Sequence, residues 1–425
     1  MRFKTWAWGL SLASAALLSA CGSGDDDNTA QIRLLNASVG YSALGIEVDD
    51  VTINSSIAYA NVGSYGSVDV AETGTEVISS GVGTTLASST PSLAKDSHYT
   101  LIAYGWAGSL KTTLLQEDQD AADSGKASLL VLNLAPDAGA LDVYVTAADD
   151  SLTDSTALAS AISGGAGSGY NTLNSGTYRI RVTGYNSKTD VRLDIPSVTL
   201  SSTQVSTLVL TATSGGVLVN GMHMIQQGAV TNYPNSTTRV RMVAANNNSA
   251  VVTGTLGQNA LLSSSTAPSI GEYKTVTPGA DSLSIYVNGT AMSLSQPTFK
   301  AGADYTLLVW GTSSAPQLSV LADDNRLPTS TSTAKLRLIN GVAGTSSGLT
   351  LNMDYSAVAS NVTPGTSSTP TSVSSSTSSL LTVTSALSST PVFSIEDLTI
   401  QSYGVYTVFV MGDSSSMVGS LRKER

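Results

Sequence analysis

The sequence predicts an all-β protein made of tandem immunoglobulin-like β-sandwich repeats, and three observations carry that prediction. An apolar opening strand recurs four times, as Ile32-Arg33-Leu34-Leu35-Asn36, Leu129-Leu130-Val131-Leu132-Asn133, Val240-Arg241-Met242-Val243-Ala244 and Leu336-Arg337-Leu338-Ile339-Asn340. The starts lie 97, 111 and 96 residues apart, the size of a sandwich domain and too long for a solenoid unit. A second block, later in each copy, has the layout of a tyrosine corner. Composition agrees with both. Only 12% of residues are charged, and Gly, Ser and Thr fill much of the rest, as in exported β proteins with many short strands and turns.

The chain begins with an address. Arg2 and Lys4 precede an apolar run from Trp6 to Leu18 that is too short to span a bilayer and has the layout of a secretory signal. It ends in Leu18-Ser19-Ala20-Cys21, which resembles the bacterial lipobox, in which small residues admit the lipoprotein signal peptidase and the Cys thiol takes a diacylglyceryl group. A buried N-terminal helix with a chance Cys is the other reading, but position, charge, apolar length and Cys agree on the lipobox. Two or more acyl chains, at ~0.8 kcal/mol per buried methylene, give stable anchoring where one does not. Mature protein is therefore expected to begin at Cys21 and stay on a membrane. Gly22 after the Cys favours the outer membrane by resemblance to the sorting rule of enteric bacteria. The acidic run 22–28 reads as a flexible tether.

Cys21 is the only cysteine, so no disulfide framework supports the fold and core burial must. Removing residues 1–20 leaves 405, enough for several domains. It also leaves 18 basic against 31 acidic side chains, a balance that disfavours nucleic acid and anionic lipid as partners. The expected organisation is a signal peptide at 1–20, a tether at 21–30 and repeats at 31–122, 126–233, 237–328 and 333–425, the last divergent.

The closing block reads Tyr99-Thr100-Leu101-Ile102-Ala103-Tyr104-Gly105, Tyr305-Thr306-Leu307-Leu308-Val309-Trp310-Gly311 and Tyr406-Thr407-Val408-Phe409-Val410-Met411-Gly412, with a degenerate Ser206-Thr207-Leu208-Val209-Leu210-Thr211 in copy two. An apolar residue stands six positions upstream in all four: Leu93, Leu200, Phe299 and Ile400. An apolar strand end, a short corner and a Tyr opening the next strand is how a Greek-key sandwich ties its corner. Period-two alternation then turns Tyr99, Leu101 and Ala103 to the core and Ile102, Tyr104 and Trp106 to the other face, with Trp310 in the position of Tyr104.

Asn133-Leu134-Ala135-Pro136-Asp137-Ala138 and Leu141-Asp142-Val143-Tyr144-Val145, with the Tyr-Thr…Gly closing blocks, resemble the bacterial domain of unknown function 4397 family. The likeness spans most of 31–425 but is patchy. Copy two lacks the closing Tyr, and copy four has a Ser/Thr-rich stretch, Thr363 to Ser389, that reads as loop. Asn36, Asn133 and Asn340 stand where family members often have His. The resemblance implies a secreted or surface β-sandwich and no reaction.

Chemistry is sparse. The two histidines, His98 and His223, lie in different repeats and read as strand or turn residues; with no Cys in the mature core, neither a zinc set nor a Ser-His-Asp triad is expected. Gly344-Thr345-Ser346-Ser347-Gly348 matches the nucleophile-elbow spacing, but its flanks read as strands rather than strand then helix. Glu117, Asp118, Asp120 and Asp123, then Asp323, Asp324 and Asn325, cluster after the last strand of a repeat; calcium takes such ligands, but the spacing fits no loop motif and a solvated linker is expected. No cofactor or metal site is expected. Tyr104, Trp106 and Trp310 are the candidate binding residues, for stacking on sugar rings or seating a partner protein, unless a neighbouring repeat covers them.

The expected function is a non-catalytic, lipid-anchored envelope protein that binds or adheres at the surface, with a glycan or an envelope protein as partner. A periplasm-facing structural or assembly lipoprotein is the alternative, and an envelope hydrolase a third, because fold alone never excludes a grafted site. A Cys21→Ser chain is expected to carry no fatty acid and to move to the soluble fraction with its melting curve unchanged. Incorporation of labelled palmitate into that variant would refute the lipidation.

Overall fold

The computed structural model describes residues 28–247, 249–279 and 281–425, so the signal peptide, the lipidation residue Cys21 and all but the end of the acidic tether lie outside the described residues. Among the described residues the elements are strands, apart from one 3-10 turn at Pro136–Ala138.

Four sandwiches with one topology follow each other along the chain. In repeat 1 the first sheet runs, in spatial order, Gly66–Asp69, Thr29–Ala37, His98–Trp106 and Ser109–Gln116. Its second sheet runs Val51–Ala58, Ala43–Val48, Thr75–Ser79 and Thr85–Ser89. Repeats 2, 3 and 4 reproduce this order around the opening strands Lys126–Leu134, Thr238–Ala244 and Thr333–Asn340 and the closing strands Val205–Ala212, Asp304–Thr312 and Val405–Asp413. Each closing strand turns back into a further strand, Ser109–Gln116, Val219–Ile225, Ala315–Asp323 or Ser416–Lys423, and repeat 2 adds one more edge strand, Val230–Tyr233.

Opening and closing strands pair in parallel, and in the same register each time: Ile32 with Tyr99, Leu129 with Ser206, Val240 with Tyr305, Leu336 with Tyr406. A hairpin cannot join parallel neighbours. The second sheet is therefore the connection between them, which explains why the two recurrent blocks stand at opposite ends of each copy. One face of the pair enters the sandwich core; in repeat 1 this face carries Ile32, Leu34, Tyr99, Leu101 and Ala103. The opposite face carries Leu35, Ala37, Ile102 and Tyr104, which are buried too.

The corners are tied as the sequence predicts. The Tyr99 hydroxyl accepts from the Ala94 amide at 2.9 Å, Tyr305 from Lys300 at 3.1 Å and Tyr406 from Gln401 at 3.0 Å. Copy two, without the Tyr, ties the equivalent Ser201 amide to the Gln204 side chain at 3.0 Å. Asn36, Asn133 and Asn340 link the two sheets: each donates to a carbonyl of the second-sheet edge strand, Ile57 at 3.0 Å, Ile162 at 2.8 Å and Val362 at 2.8 Å. Each also accepts from the amide two residues on. The Ser/Thr-rich stretch of copy four is not loop. It forms Thr366–Ser367, Thr371–Ser374 and Ser376–Ser385, because Leu381 and Val383, on the inner face, anchor an otherwise polar strand in the core.

Replacing Tyr406 with Phe is expected to expose the Gln401 amide to exchange about fivefold faster, the equivalent of one net hydrogen bond of roughly 1 kcal/mol. Hydrogen-exchange mass spectrometry should show this effect confined to the corner of repeat 4.

Candidate functional site: the charged junctions between repeats

The sandwiches pack in pairs through the outward faces of their opening and closing strands. Leu35, Ile102 and Tyr104 of repeat 1 meet Leu134, Val209, Met222 and Met224 of repeat 2 in one apolar cluster. Val243, Ala245 and Leu308 of repeat 3 meet Ile339, Phe409 and Met411 of repeat 4 at the corresponding positions.

This pairing uses up the candidate binding aromatics. Tyr104 is 7% exposed within the first interface, so it offers no stacking face. Trp106 is half-buried against the core of repeat 2; its Nε1 donates to Asp137 Oδ2 at 2.6 Å and the Arg326 guanidinium lies 4.6 Å above its ring. Asp137 also accepts from the Leu327 amide at 2.8 Å, so one carboxylate joins repeat 1, repeat 2 and the end of repeat 3. Trp310 packs on the second interface with Nε1 donating to Ser319 Oγ at 3.0 Å. A Cβ on Gly365 of repeat 4, where φ is +77°, would fall 2.3 Å from that indole. Of the two readings of these three residues, a surface for sugar or partner and cover by a neighbouring repeat, the structure gives the second, and their place as candidate binding residues is corrected: large apolar groups are buried where a partner surface is at hand.

Polar residues on the same faces form a recurrent set. The second residue of the recurrent block in the opening strand is Arg in repeats 1, 3 and 4, and its Nε donates to the Thr after the corner Tyr position: Arg33 to Thr100 at 2.9 Å, Arg241 to Thr306 at 2.9 Å, Arg337 to Thr407 at 3.1 Å. One step past the register partner of that corner position stands Glu117, Gln226, Asp323 or Glu424. In the second pair the charges are exchanged across the interface. Arg241 of repeat 3 grips Glu424 of repeat 4 at 2.8 and 2.9 Å, while Arg337 of repeat 4 approaches Asp323 of repeat 3 to 2.7 Å, an ion pair without hydrogen-bond alignment. Repeat 2 has Leu130 and Gln226 at these positions, so in the first pair Arg33 turns to Glu117 of its own repeat at 2.9 Å. The partner repeat meets these two charged groups through backbone, the Gly228 carbonyl accepting from Arg33 at 2.9 Å and the Gln227 amide donating to Glu117 at 2.6 Å, while the Gln227 side chain donates to the Glu117 carbonyl at 2.9 Å.

A tyrosine completes the sets of repeats 1 and 3. Tyr65 donates to Glu117 at 2.8 Å with Arg33 stacked 4.4 Å from its ring; Tyr273 donates to Asp323 at 2.5 Å between Arg239 and Arg241, at 4.3 and 4.4 Å. Burial, then the carboxylate each faces, pushes both phenols well above their usual range. Burial works to raise the Asp323 carboxyl, but Arg337 and Arg241 outweigh it and hold it below its ordinary value. Asp304 is the exception. Burial pushes it up to about 6, against Arg239 at 3.4 Å and Asn325 at 2.8 Å.

The other sequence candidates are placed as follows. His98 sits 3.0 Å from Asp118 and edge-on to Tyr65; His223 is buried in repeat 2, where burial lowers its pKa. Gly344–Gly348 stands between strands with no helix behind it. Of the acidic cluster, Glu117 and Asp323 face arginines, and Asp324 is held down to about 2, against burial, by Arg326 and Lys335. No three metal-ligating groups converge among the described residues.

A cleft of about 670 Å³ opens where repeats 2, 3 and 4 converge. Arg192, Arg239, Arg241 and Arg425, drawn back from solvent, line it, and Lys274, Arg422 and Lys423 are exposed along it. Its acidic side chains are Asp190, Glu272 and Glu424. The sequence reading missed it, since its residues are scattered from 189 to 425; the doublet Arg239 and Arg241 was the one local signal.

The family described as Domain of unknown function (DUF4397) matches residues 30–144 and 238–347, together more than half of the sequence. The chain belongs to the DUF4397 family. Both matches start at the opening strand of an odd-numbered repeat and run on into the next repeat, so each takes in residues from both halves of a packed pair. Among solved structures, a protein of Bacteroides uniformis provisionally named for cell adhesion is similar at 12% identity over 47% of this chain and 98% of its own, with a TM-score of 0.21. One of Parabacteroides distasonis, named in the same way, is similar at 10% identity over 71% of this chain and 99% of its own, with a TM-score of 0.17. No curated protein matches.

Two predictions come from these charges. Arg241→Met alone strands a buried carboxylate and is expected to cost about 3–5 kcal/mol, whereas adding Glu424→Leu should restore much of that loss. Calorimetric melting of the two variants measures the difference. Asp304, with its folded pKa raised from 3.8 to about 6, favours the folded state fully below pH 3.8 and loses that contribution as pH rises through about 6. Asp304→Asn is accordingly expected to flatten the stability profile between those limits and to raise the melting temperature at neutral pH, as followed by circular dichroism across pH.

Proposed function

We propose that the chain is a non-catalytic, lipid-anchored envelope protein that presents a binding surface outside the cell. The observation that carries this reading is the cleft between repeats 2, 3 and 4. Charged side chains from three sandwiches converge on one open concavity and are steadied there by ion pairs and stacked rings, such as Arg241 with Glu424 and Arg239 on Tyr273. Rigid support of that kind suits recognition, since side chains already held in place lose little freedom when a ligand arrives.

Anchor and body fit together in this reading. The first strand starts at Thr29, directly after the acidic run that follows Cys21, so an acylated Cys21 would leave only a short tether between membrane and repeat 1. The opening and closing strands bury their outward faces against a neighbouring repeat, which favours a stiff body over a string of loosely linked beads. With Tyr104, Trp106 and Trp310 engaged in that packing, recognition passes from aromatic stacking to charge.

An external protease added to intact cells is expected to cut the repeats, and Cys21→Ser to remove the signal from the cell fraction. Protection until the outer membrane is permeabilised would replace the display reading with the periplasmic one.

A further inference from the structure

We infer that the cleft between repeats 2, 3 and 4 binds an oxyanion group, phosphate, sulfate or carboxylate, through Arg239, Arg425 and Lys274. The inference rests on the reading of the chain as a binding protein and adds the chemistry of its ligand.

Charge balance makes the case. The protein carries a formal net charge of −11, yet seven cationic side chains and three acidic ones line this cleft. Some of the cations are already satisfied. Arg241 holds Glu424 with two bonds, and Arg192 holds Asp190 at 2.6 Å. Others are not. Arg239 has Asp304 no nearer than 3.4 Å, an ion pair with no hydrogen bond between them among the described residues. Arg425 donates to the Gly216 carbonyl at 3.2 Å, and among the described residues no carboxylate pairs with it or with Lys274.

The crowding is visible in Arg425 itself. Burial first, and then the neighbouring charges of Arg192 and Arg239, push its guanidinium down to about 10. Like charges held together out of water are costly unless an anion joins them. An oxyanion is the matching partner, since planar guanidinium groups meet two of its oxygens at once and an ammonium adds a point charge. A cleft of about 670 Å³ holds far more than a bare ion, and falls in the size range of sites that take small organic ligands. The group can therefore arrive as free phosphate or as the acidic unit of a saccharide.

Isothermal titration calorimetry on the purified mature protein tests this, with sodium phosphate, a tetragalacturonate and the neutral maltotetraose as probes. Saturable binding of phosphate or tetragalacturonate is expected, with no response to maltotetraose. Tetragalacturonate binding at least about tenfold tighter than phosphate marks an acidic saccharide as the source, and phosphate binding as well or better marks the free ion. Arg425→Gln and the exposed Lys274→Gln should each weaken binding about fivefold to tenfold, and Glu272→Gln, which removes an acid from the cleft, should strengthen it. Circular dichroism of each variant verifies that it folds. The assignment is overturned if neither anion binds below about 10 mM, or if Lys274→Gln and Glu272→Gln bind as the parent does. That failure would leave the display reading standing, because protease access to intact cells tests it separately.

Discussion

The parallel pairing of opening and closing strands, buried on both faces, is the constraint on which the rest of this molecule depends. Parallel strands need a long connection, and that connection supplies the second sheet of each sandwich. Burial on both faces then fixes composition. The closing strand Val205–Ala212 is buried at every residue, and His98–Trp106 at all but its ends. A sandwich with one such pair cannot be complete alone, since its first sheet would expose an apolar face to water. Packing two sandwiches back to back removes that face, and the chain does so twice.

The two interfaces reach charge neutrality by different routes, and repeat 2 is the reason. Between repeats 3 and 4 the relation is reciprocal, with each repeat giving an arginine and taking a carboxylate, as in the self-complementary contact of a symmetric dimer. Repeat 2 has neither the arginine nor the acid nor the corner tyrosine. Arg33 and Glu117 are left to neutralise one another, and the partner repeat contributes a carbonyl and an amide. A buried charge with no local partner is far costlier than one missing hydrogen bond, so the loss of one member of a set is tolerable only when its counter-ion is lost or redirected too.

Convergence of three repeats places charged groups together that no single sandwich could assemble. Arg192, Arg239 and Arg425 belong to repeats 2, 3 and 4, and Asp137 ties Trp106 of repeat 1 to the same region through Leu327. The cleft is thus a product of the pairing, and its charge comes from residues left over once the interfaces have been neutralised. Under the proposed reading, ligand recognition and repeat packing would draw on the same supply of arginine.

Sequence alone determined the repeat architecture, because alternation along a strand and the Tyr of a corner are local signals with a fixed geometric meaning. Tyr99, Tyr305 and Tyr406 bond where that reading puts them. The lipidation proposed at Cys21 also rests on a local signal, and it lies outside the described residues. Tertiary structure decided what covers the outward faces: period two puts Tyr104, Trp106 and Trp310 on the face away from the core and leaves open whether a neighbouring repeat covers them, since a strand pattern tells one face from the other and not which neighbour lies beyond. A hint was present in the near-continuous apolar runs of the closing strands, which mark a strand covered on both sides. Only the three-dimensional arrangement brought Arg192, Arg239 and Arg425 into one cleft. Electrostatic interaction depends on distance through space, and these residues are separated by tens to hundreds of positions in the chain.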